Sequence, residues 1–151
     1  MGNNRTKSLQ TVEIDGGNYT LIAERIKHLA NEFDYSINTN AEFIESLNAW
    51  KVKAVLTIKE DGKINTYSGH ASEVIGSNDI NLTSALENAE TSAVGRACAM
   101  AGIGISDEIA SAEEVKGAKE QAKEVKVSQR VQSSKKAEID TLKKLTANIK
   151  K

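Results

Sequence analysis

The segment from Asn81 to Ile105, NLTSALENAETSAVGRACAMAGIGI, constrains the fold of this chain more than any other segment. It predicts one long helix with a start signal and a stop signal. Ser84 is a suitable N-cap residue, and Glu87 follows at the spacing of a capping box. Gly102 can adopt the left-handed conformation that commonly ends a helix. We therefore expect the fold to be built around this helix.

The predicted helix has two different sides. The broad apolar side consists mostly of small residues, namely Leu86, Ala89, Ala93, Val94, Ala97, Met100 and Ala101. The narrow polar side consists of Asn88, Ser92, Arg96 and Ala99. Because small residues let a neighbour approach closely, Arg96 is well placed to meet a phosphate group. The alternative interpretation of Arg96 is a solvated surface arginine.

A β-hairpin is predicted in the middle of the chain. Apolar and polar residues alternate from Ala49 to Lys59, which is the pattern of a strand with one buried face. Asp61-Gly62 predicts a tight turn, and the partner strand is expected from Lys63 to Ser72. The polar face of the first strand carries Lys51 and Lys53. These lysines fit either the wet face of a one-sided sheet or a groove that follows a nucleic-acid backbone.

The remaining segments complete the expected fold. A further strand is expected around Phe43 and Ile44, and a short strand at Thr11 to Ile14. An amphipathic helix is predicted over YTLIAERIKHLANEFDY, with Arg25 at the edge of its apolar face. The fold class is therefore α+β: a helix, an antiparallel β-meander of two or three strands, and the long helix packed on the sheet.

Charge divides the chain into an acidic body and a basic tail. Residues 1–110 carry 9 Lys and Arg against 15 Asp and Glu, whereas residues 111–151 carry 11 against 6. We expect a loose N-terminus over residues 1–10, an α+β core over 11–110 and a partly helical tail over 111–151. The tail is predicted to begin with a capping box of Ser111 and Glu114 and to contain a linker at VSQRVQSS.

The sequence contains no pattern of a catalytic or metal centre. It has two histidines and one cysteine, without metal-ligand spacing, so neither an enzyme nor a cofactor is expected. The single Cys98 excludes an internal disulfide and suits a reducing compartment. No segment approaches the length of a membrane span, and the polar start is not a signal peptide. A cytoplasmic location is therefore expected.

Three segments together resemble a known family. ERIKHLANEFDY, the KEDGK turn and SALENAETSAVGRACAMAGIG follow one another as in the single-strand annealing core of the Rad-fifty-two family. The chain is still more similar to the small phage-encoded annealing and single-stranded-DNA-binding proteins related to that family. The resemblance covers roughly residues 19–105. Gly95 and Ala99 differ from the further basic residues that eukaryotic members have at these positions.

The resemblance implies a function in DNA recombination. It implies rings or filaments of subunits, with single-stranded DNA in a basic groove between helix and sheet and with the bases exposed for pairing. It matches Arg25 and Arg96 to basic groove residues; Lys51, Lys53 and Ser92 complete the expected DNA-binding set. A phage nuclease or a host single-strand-binding protein is a further expected partner.

Two other functions remain open on the sequence. One is a protein that coats single-stranded DNA without annealing it, and the other is a structural or adaptor protein without a DNA role. Glu90 lies on the apolar side of the predicted long helix, where a hydrogen bond or an ion pair between subunits would explain it. A small core with such a charge predicts a homo-oligomer larger than a dimer.

Overall fold

A computed structural model describes residues 9–105 and 110–149, without the side chains of 121, 140 and 144–149. Most of the expected loose N-terminus, residues 1–8, lies outside the described residues. The chain forms two compact units, Met1–Gly117 and Ala118–Lys151. The first unit is α+β, as predicted, with a two-stranded and a three-stranded antiparallel sheet.

A small hairpin opens the described chain. Strand β1 (Thr11–Ile14) pairs with strand β2 (Gly17–Thr20). Both turn residues between them, Asp15 and Gly16, have positive φ, as the two-residue turns of hairpins require. The predicted short strand is confirmed. Its partner was missed, because GNYT lies where we expected a turn and the start of a helix. Helix α1 follows at Ile22–Glu32.

The three-stranded sheet is the predicted meander. Strands β3 (Asp34–Ile44), β4 (Ala49–Glu60) and β5 (Lys63–Val74) lie in that order and pair antiparallel along their whole length. The β4–β5 turn has positive φ at both Asp61 and Gly62. Because side chains alternate between faces, the sheet has an inner face and an outer face. The inner face contains the buried residues Val52, Ala54, Leu56 and Ile58.

Helix α2 (Asn81–Met100) covers the inner face, mainly over β4 and β5. Its alanines allow close packing, and the closest approach is at Gly69 of β5. A Cβ atom at Gly69 would overlap the carbonyl oxygen of Ala93 and the amide nitrogen of Ala97. The predicted packing of a small-residue helix on the sheet is thus confirmed. The shared core consists of Leu29, Val52, Ala54, Leu56, Ile58, Ala89, Ala93, Val94, Ala97, Cys98, Ala101 and Ile103.

The ends of α2 differ in how well the sequence predicts them. Gly102 has a φ of 82° and donates its N–H to the carbonyl of Ala99 at 2.8 Å. Ile103 donates to the carbonyl of Cys98 at 3.0 Å, so this end is a Schellman motif. At the other end, Ser84 is not the N-cap of the observed helix. It lies inside the helical segment with non-helical backbone angles, three residues after the observed start.

Helix α3 (Ala112–Ile149) occupies the predicted tail. The expected capping box is confirmed: Glu114 N–H donates to Ser111 Oγ at 3.2 Å, and Ser111 N–H donates to Glu114 Oε2 at 2.9 Å. The predicted linker at VSQRVQSS is wrong, because these residues are helical. The segment contains neither Gly nor Pro, so it does not interrupt the helix formed by its Lys-, Glu- and Ala-rich flanks. No helix in the described ranges is long and apolar enough to cross a membrane.

The boundary between core and tail also differs from the prediction. Ser111 and Ala112 are buried, and the compact first unit extends to Gly117. Thus the first turns of α3 belong to the α+β unit, because their small and capping side chains pack there. The second unit, residues 118–151, consists in its described part of the rest of this helix. It carries 10 Lys and Arg against 4 Asp and Glu, and the first unit carries 10 against 17.

Candidate nucleic-acid interface

Arg25 is part of the core, although we expected it at the edge of a DNA groove. Its side chain is fully buried, with a relative exposure of 0%. Nη1 donates to the carbonyl oxygen of Gly95 at 2.8 Å, and Nη2 donates to that of Gly104 at 3.2 Å. The guanidinium therefore ties α1 to α2 and to the segment after it. A phosphate group cannot reach Arg25 in this conformation, and its expected place on the surface is wrong.

The surroundings of Arg25 affect two titrating groups. Burial lowers the pKa of Arg25 from its ordinary value. Electrostatic interactions with Cys98, Glu114 and Glu113 oppose this shift. Burial also raises the pKa of the Cys98 thiol to about 11, and the charge of Arg25 opposes that shift. Cys98 is completely buried in α2. Its thiol is therefore protonated at neutral pH.

Arg96 and Ser92 lie one helical turn apart on α2. Arg96 has 53% of its side chain exposed, and Ser92 is partly exposed. Arg96 Nε donates to Glu114 Oε1 at 2.5 Å. No other described residue bonds this guanidinium, so its two Nη atoms face no protein acceptor in the described ranges. Arg96 is thus an accessible cation with one carboxylate beside it.

The start of α3 supplies two carboxylates to the helices beneath it. Glu114 closes its own capping box and pairs with Arg96. Glu113 accepts the backbone N–H of Ile22 at 3.3 and 3.4 Å to its two oxygens, at the first residue of α1. The residue before Ile22, Leu21, provides no side-chain cap. Glu113 therefore caps the N-terminus of α1 although it is distant in sequence. A negative charge is favourable at a helix N-terminus.

Lys51 and Lys53 lie on the outer face of the sheet, opposite to α2. Both are exposed, and no ion pair to either is formed among the described residues. In the register of the sheet, Lys51 is next to Glu42 and Ser72, and Lys53 is next to Asn40 and His70. The other outer-face residues of β5 are also exposed, so no described element covers this face.

The structure separates the predicted site into two places. The expected groove had a helix with arginines facing a sheet with lysines. Instead, Lys51 and Lys53 point away from α2 because they alternate with the apolar residues that α2 covers. Arg96 and Ser92 stay on the helix side, where the Cβ of Arg96 lies close to Gly69 of β5. The edge strand β5 lies between the two groups, since His70 is beside Lys53 and follows Gly69.

Sequence reasoning missed several residues of these surfaces. His70 and Asn40 flank Lys53, and the alternation of β5 could have placed His70 on the outer face. The cap that Glu113 provides for α1 left no local signal, because its partner is 91 residues away.

Glu90 is exposed and accepts a hydrogen bond from Thr39 Oγ1 at 2.5 Å. The hydrogen bond expected for Glu90 is thus present, but its side chain is exposed and is not part of the buried apolar side. Met100, expected on the same side, is exposed too.

One end of the sheet carries exposed apolar side chains. They are Phe43 at the end of β3, Leu47 in the connection to β4, Val74 at the end of β5, and Ile80 and Leu82 around the start of α2. Phe43 packs against Trp50 with ring centroids 5.2 Å apart. Clusters of this kind on a folded protein commonly mark interaction surfaces. We call these five residues the apolar end.

Three comparisons with known proteins found no relative of this chain. No family model, no curated protein and no solved structure matches the chain. Within the described ranges, no group of three or more His, Cys, Asp or Glu residues is arranged to hold a metal ion. The surfaces of this chain are therefore the basis for assigning a function.

Proposed function

We propose that this protein binds single-stranded DNA through the DNA backbone and promotes annealing of complementary strands during recombination, in the cytoplasm. The observation that carries the proposal is the open outer face of the β3–β4–β5 sheet. On its central strand, β4, Lys51 and Lys53 are exposed and lack a described ion-pair partner. Such cations bind phosphates by releasing counterions, without reading sequence.

The composition of the outer face favours a backbone-only contact. Seven of the residues that share it with the lysines are hydroxyl or amide residues, namely Ser36, Asn38, Asn40, Thr57, Thr66, Ser68 and Ser72, and the carboxylates on it are Asp34 and Glu42. No Phe, Tyr or Trp lies among the paired outer-face positions of the three strands, where the imidazole of His70 is the one aromatic ring. Proteins that hold single strands tightly usually stack bases on aromatic rings. A face that binds phosphates but not bases would leave the bases free to pair, as annealing requires.

Arg96 and Ser92 form the second proposed contact. The acidic first unit makes any binding surface local, and Arg96 is the accessible arginine of its described part. The edge strand β5 lies between Lys53 and Arg96. A DNA strand would therefore contact both cations if it crossed this edge of the sheet. Arg25 has no place in this proposal, since its guanidinium is buried.

The proposed active form is a homo-oligomer, either a ring or a filament. In the described part of the chain, β3 and β5 each pair only with β4, which leaves two free edges on opposite sides of one sheet. Neither strand has a break in its register, and the chain has no proline to interrupt an edge. Long regular edges are templates for pairing with another chain. Two different edges on one subunit favour head-to-tail assembly.

The test uses one preparation and two readouts. Binding of unrelated single-stranded oligonucleotides is measured at low salt, and annealing of a complementary pair is followed by fluorescence energy transfer between labelled ends. We expect binding of all sequences and faster annealing than without protein. Binding without faster annealing would favour the alternative function, a protein that coats single-stranded DNA without annealing it. Absence of binding at low salt would exclude both DNA functions.

A second candidate function is that of a structural or adaptor protein, and the apolar end favours it. Glu45 and Asp79, which are close in sequence to residues of the apolar end, are acidic, so this end suits a protein surface better than a polyanion. A phage nuclease or a host single-strand-binding protein is the kind of partner that we propose in either case. Light scattering on the protein with and without DNA separates an assembling annealing protein from a small adaptor.

A further inference from the structure

The contact between Glu114 and Arg96 places a carboxylate on the proposed phosphate-binding arginine. Glu114 Oε1 lies 2.5 Å from Arg96 Nε, and only 10% of the Glu114 side chain is exposed, against 53% for Arg96. The carboxylate is therefore held on the protein side of the guanidinium, while the guanidinium also faces solvent. A phosphate group that approaches Arg96 meets a cation that is already partly neutralised.

Glu114 is held in this position by the fold around it. Its other oxygen, Oε2, accepts the N–H of Ser111, and its own N–H donates to Ser111 Oγ. Ser111 and Ala112 are fully buried, and the adjacent Glu113 binds the N–H of Ile22 on α1. The Glu113 contact thus ties the first turn of α3 to α1, and the capping box fixes the Glu114 side chain within that turn. The pairing of Glu114 with Arg96 is a built contact and not a chance encounter of two mobile surface chains.

We propose that Glu114 is an autoinhibitory counter-ion: it neutralises Arg96 in the free protein, and a DNA phosphate replaces it when the strand binds. This inference rests on the proposed function, because it assumes that the anion at Arg96 is the DNA backbone. In this exchange the phosphate takes the place of Glu114 Oε1 at Arg96 Nε, so that binding displaces the Glu114 carboxylate. Because the phosphate must compete with Glu114, DNA binds more weakly than it would to an arginine without a counter-ion. Binding also breaks the contact between Glu114 on α3 and Arg96 on α2.

The first experiment measures the affinity for single-stranded DNA against salt for the full-length protein. Glu114→Gln removes the charge but keeps an oxygen that can accept the Ser111 N–H, so the capping box is preserved. We expect binding to tighten about two- to fivefold at low salt, the size of an exposed ion pair. The log–log salt dependence should steepen by up to about 0.7, one phosphate contact on a single strand.

Glu113→Gln is the matched control. It makes the same change in net charge one residue away, and Glu113, like Glu114, lies in the electrostatic surroundings of Arg25. We expect Glu113→Gln to change the affinity much less than Glu114→Gln. The gain of Glu114→Gln should also disappear in the double variant with Arg96→Ala. Equal gains for both single variants, or a gain that survives Arg96→Ala, would overturn the proposal in favour of a general charge effect.

A second experiment does not use DNA and therefore separates this inference from the proposed function. Phenylglyoxal modifies accessible arginines, and peptide mass spectrometry reports the rate at Arg96. We expect Arg96 to react several times faster in Glu114→Gln than in the wild type, with no such change in Glu113→Gln. An unchanged rate would overturn the counter-ion role even if DNA binds. A faster rate in a protein that binds no DNA would sustain the neutralising contact but refute the phosphate exchange together with the proposed function.

Discussion

The inner and outer faces of the β3–β4–β5 sheet share one backbone and have opposite surroundings. On the inner face, α2 lies so close to β5 that Gly69 has no room for a side chain. On the outer face, no described element covers Lys51 and Lys53. A residue on the inner side is therefore fixed by packing, whereas a residue on the outer side is free to serve a ligand. The comparison predicts large folding effects on one side and binding effects without folding effects on the other.

The largest effect is expected for Gly69→Ala. The added methyl group would overlap backbone atoms of Ala93 and Ala97, which can move only if α2 shifts as a whole. We expect a loss of about 3 kcal/mol or more in the free energy of unfolding. Ser68→Ala, the neighbouring change on the outer face, is the control and should cost less than about 0.5 kcal/mol. Urea denaturation of both variants measures the difference; equal stabilities would contradict the described packing.

Arg25→Ala should destabilise the protein by about 3 kcal/mol. The reason is that the carbonyl groups of Gly95 and Gly104 lose their buried donors, and a cavity remains. Arg25→Lys should also destabilise, because one ammonium cannot span both carbonyls as the guanidinium does. Thermal and urea unfolding measure these changes. A normal stability together with weakened DNA binding would instead restore the groove role expected from the sequence.

Two truncations test where the folded unit ends. Removal of residues 111–151 deletes the buried Ser111 and Ala112, the Glu113 cap and the Glu114 ion pair, and should cost on the order of 2 kcal/mol. Removal of residues 118–151 keeps all four contacts and should leave the unfolding free energy nearly unchanged. Comparison of the two melting curves gives the answer. Equal stability of both fragments would place the boundary at Ala110, as the sequence predicts.

The smallest effect concerns Cys98. Because burial raises the pKa of this thiol to about 11, the native protein should react with iodoacetamide far more slowly at pH 8 than the urea-unfolded protein. The unfolded thiol loses its proton at a lower pH than the folded one. The contribution of Cys98 to stability is therefore fully present below about pH 8.5 and is lost as the pH rises towards about 11. Cys98→Ala should reduce that loss, which is measured by urea unfolding at pH 8 and pH 10; an equal loss in both proteins would contradict the shift.

Much of the fold was predictable because its signals are local. The alternation from Ala49 onward, the Asp61-Gly62 turn and the capping box at Ser111 each depend on a few adjacent residues, and each is confirmed. The strand Gly17–Thr20 was missed because its partner, and not its own composition, makes it a strand. The linker expected in the tail failed for a related reason, since polar residues do not by themselves end a helix.

The candidate site was less predictable because it depends on tertiary packing. Arg25 and Arg96 each lie beside an apolar helix side, and no helical pattern tells them apart. Arg25 is buried because the carbonyls of Gly95 and Gly104 accept its guanidinium. The position of the lysines was already implied: a helix that covers Val52 and Ala54 must leave Lys51 and Lys53 on the opposite face. Whether these lysines contact DNA remains a prediction.

The most direct test of the central claim is the salt dependence of single-stranded DNA affinity for the double variant Lys51→Ala/Lys53→Ala. Its control, Lys27→Ala/Lys63→Ala, removes the same charge from exposed positions elsewhere in the first unit. We predict weaker binding of every DNA sequence and a log–log slope that is shallower by up to about 1.4 for the outer-face variant, with a much smaller change for the control. Equal effects of the two variants, or no effect of either, would contradict DNA binding on the outer face of the sheet.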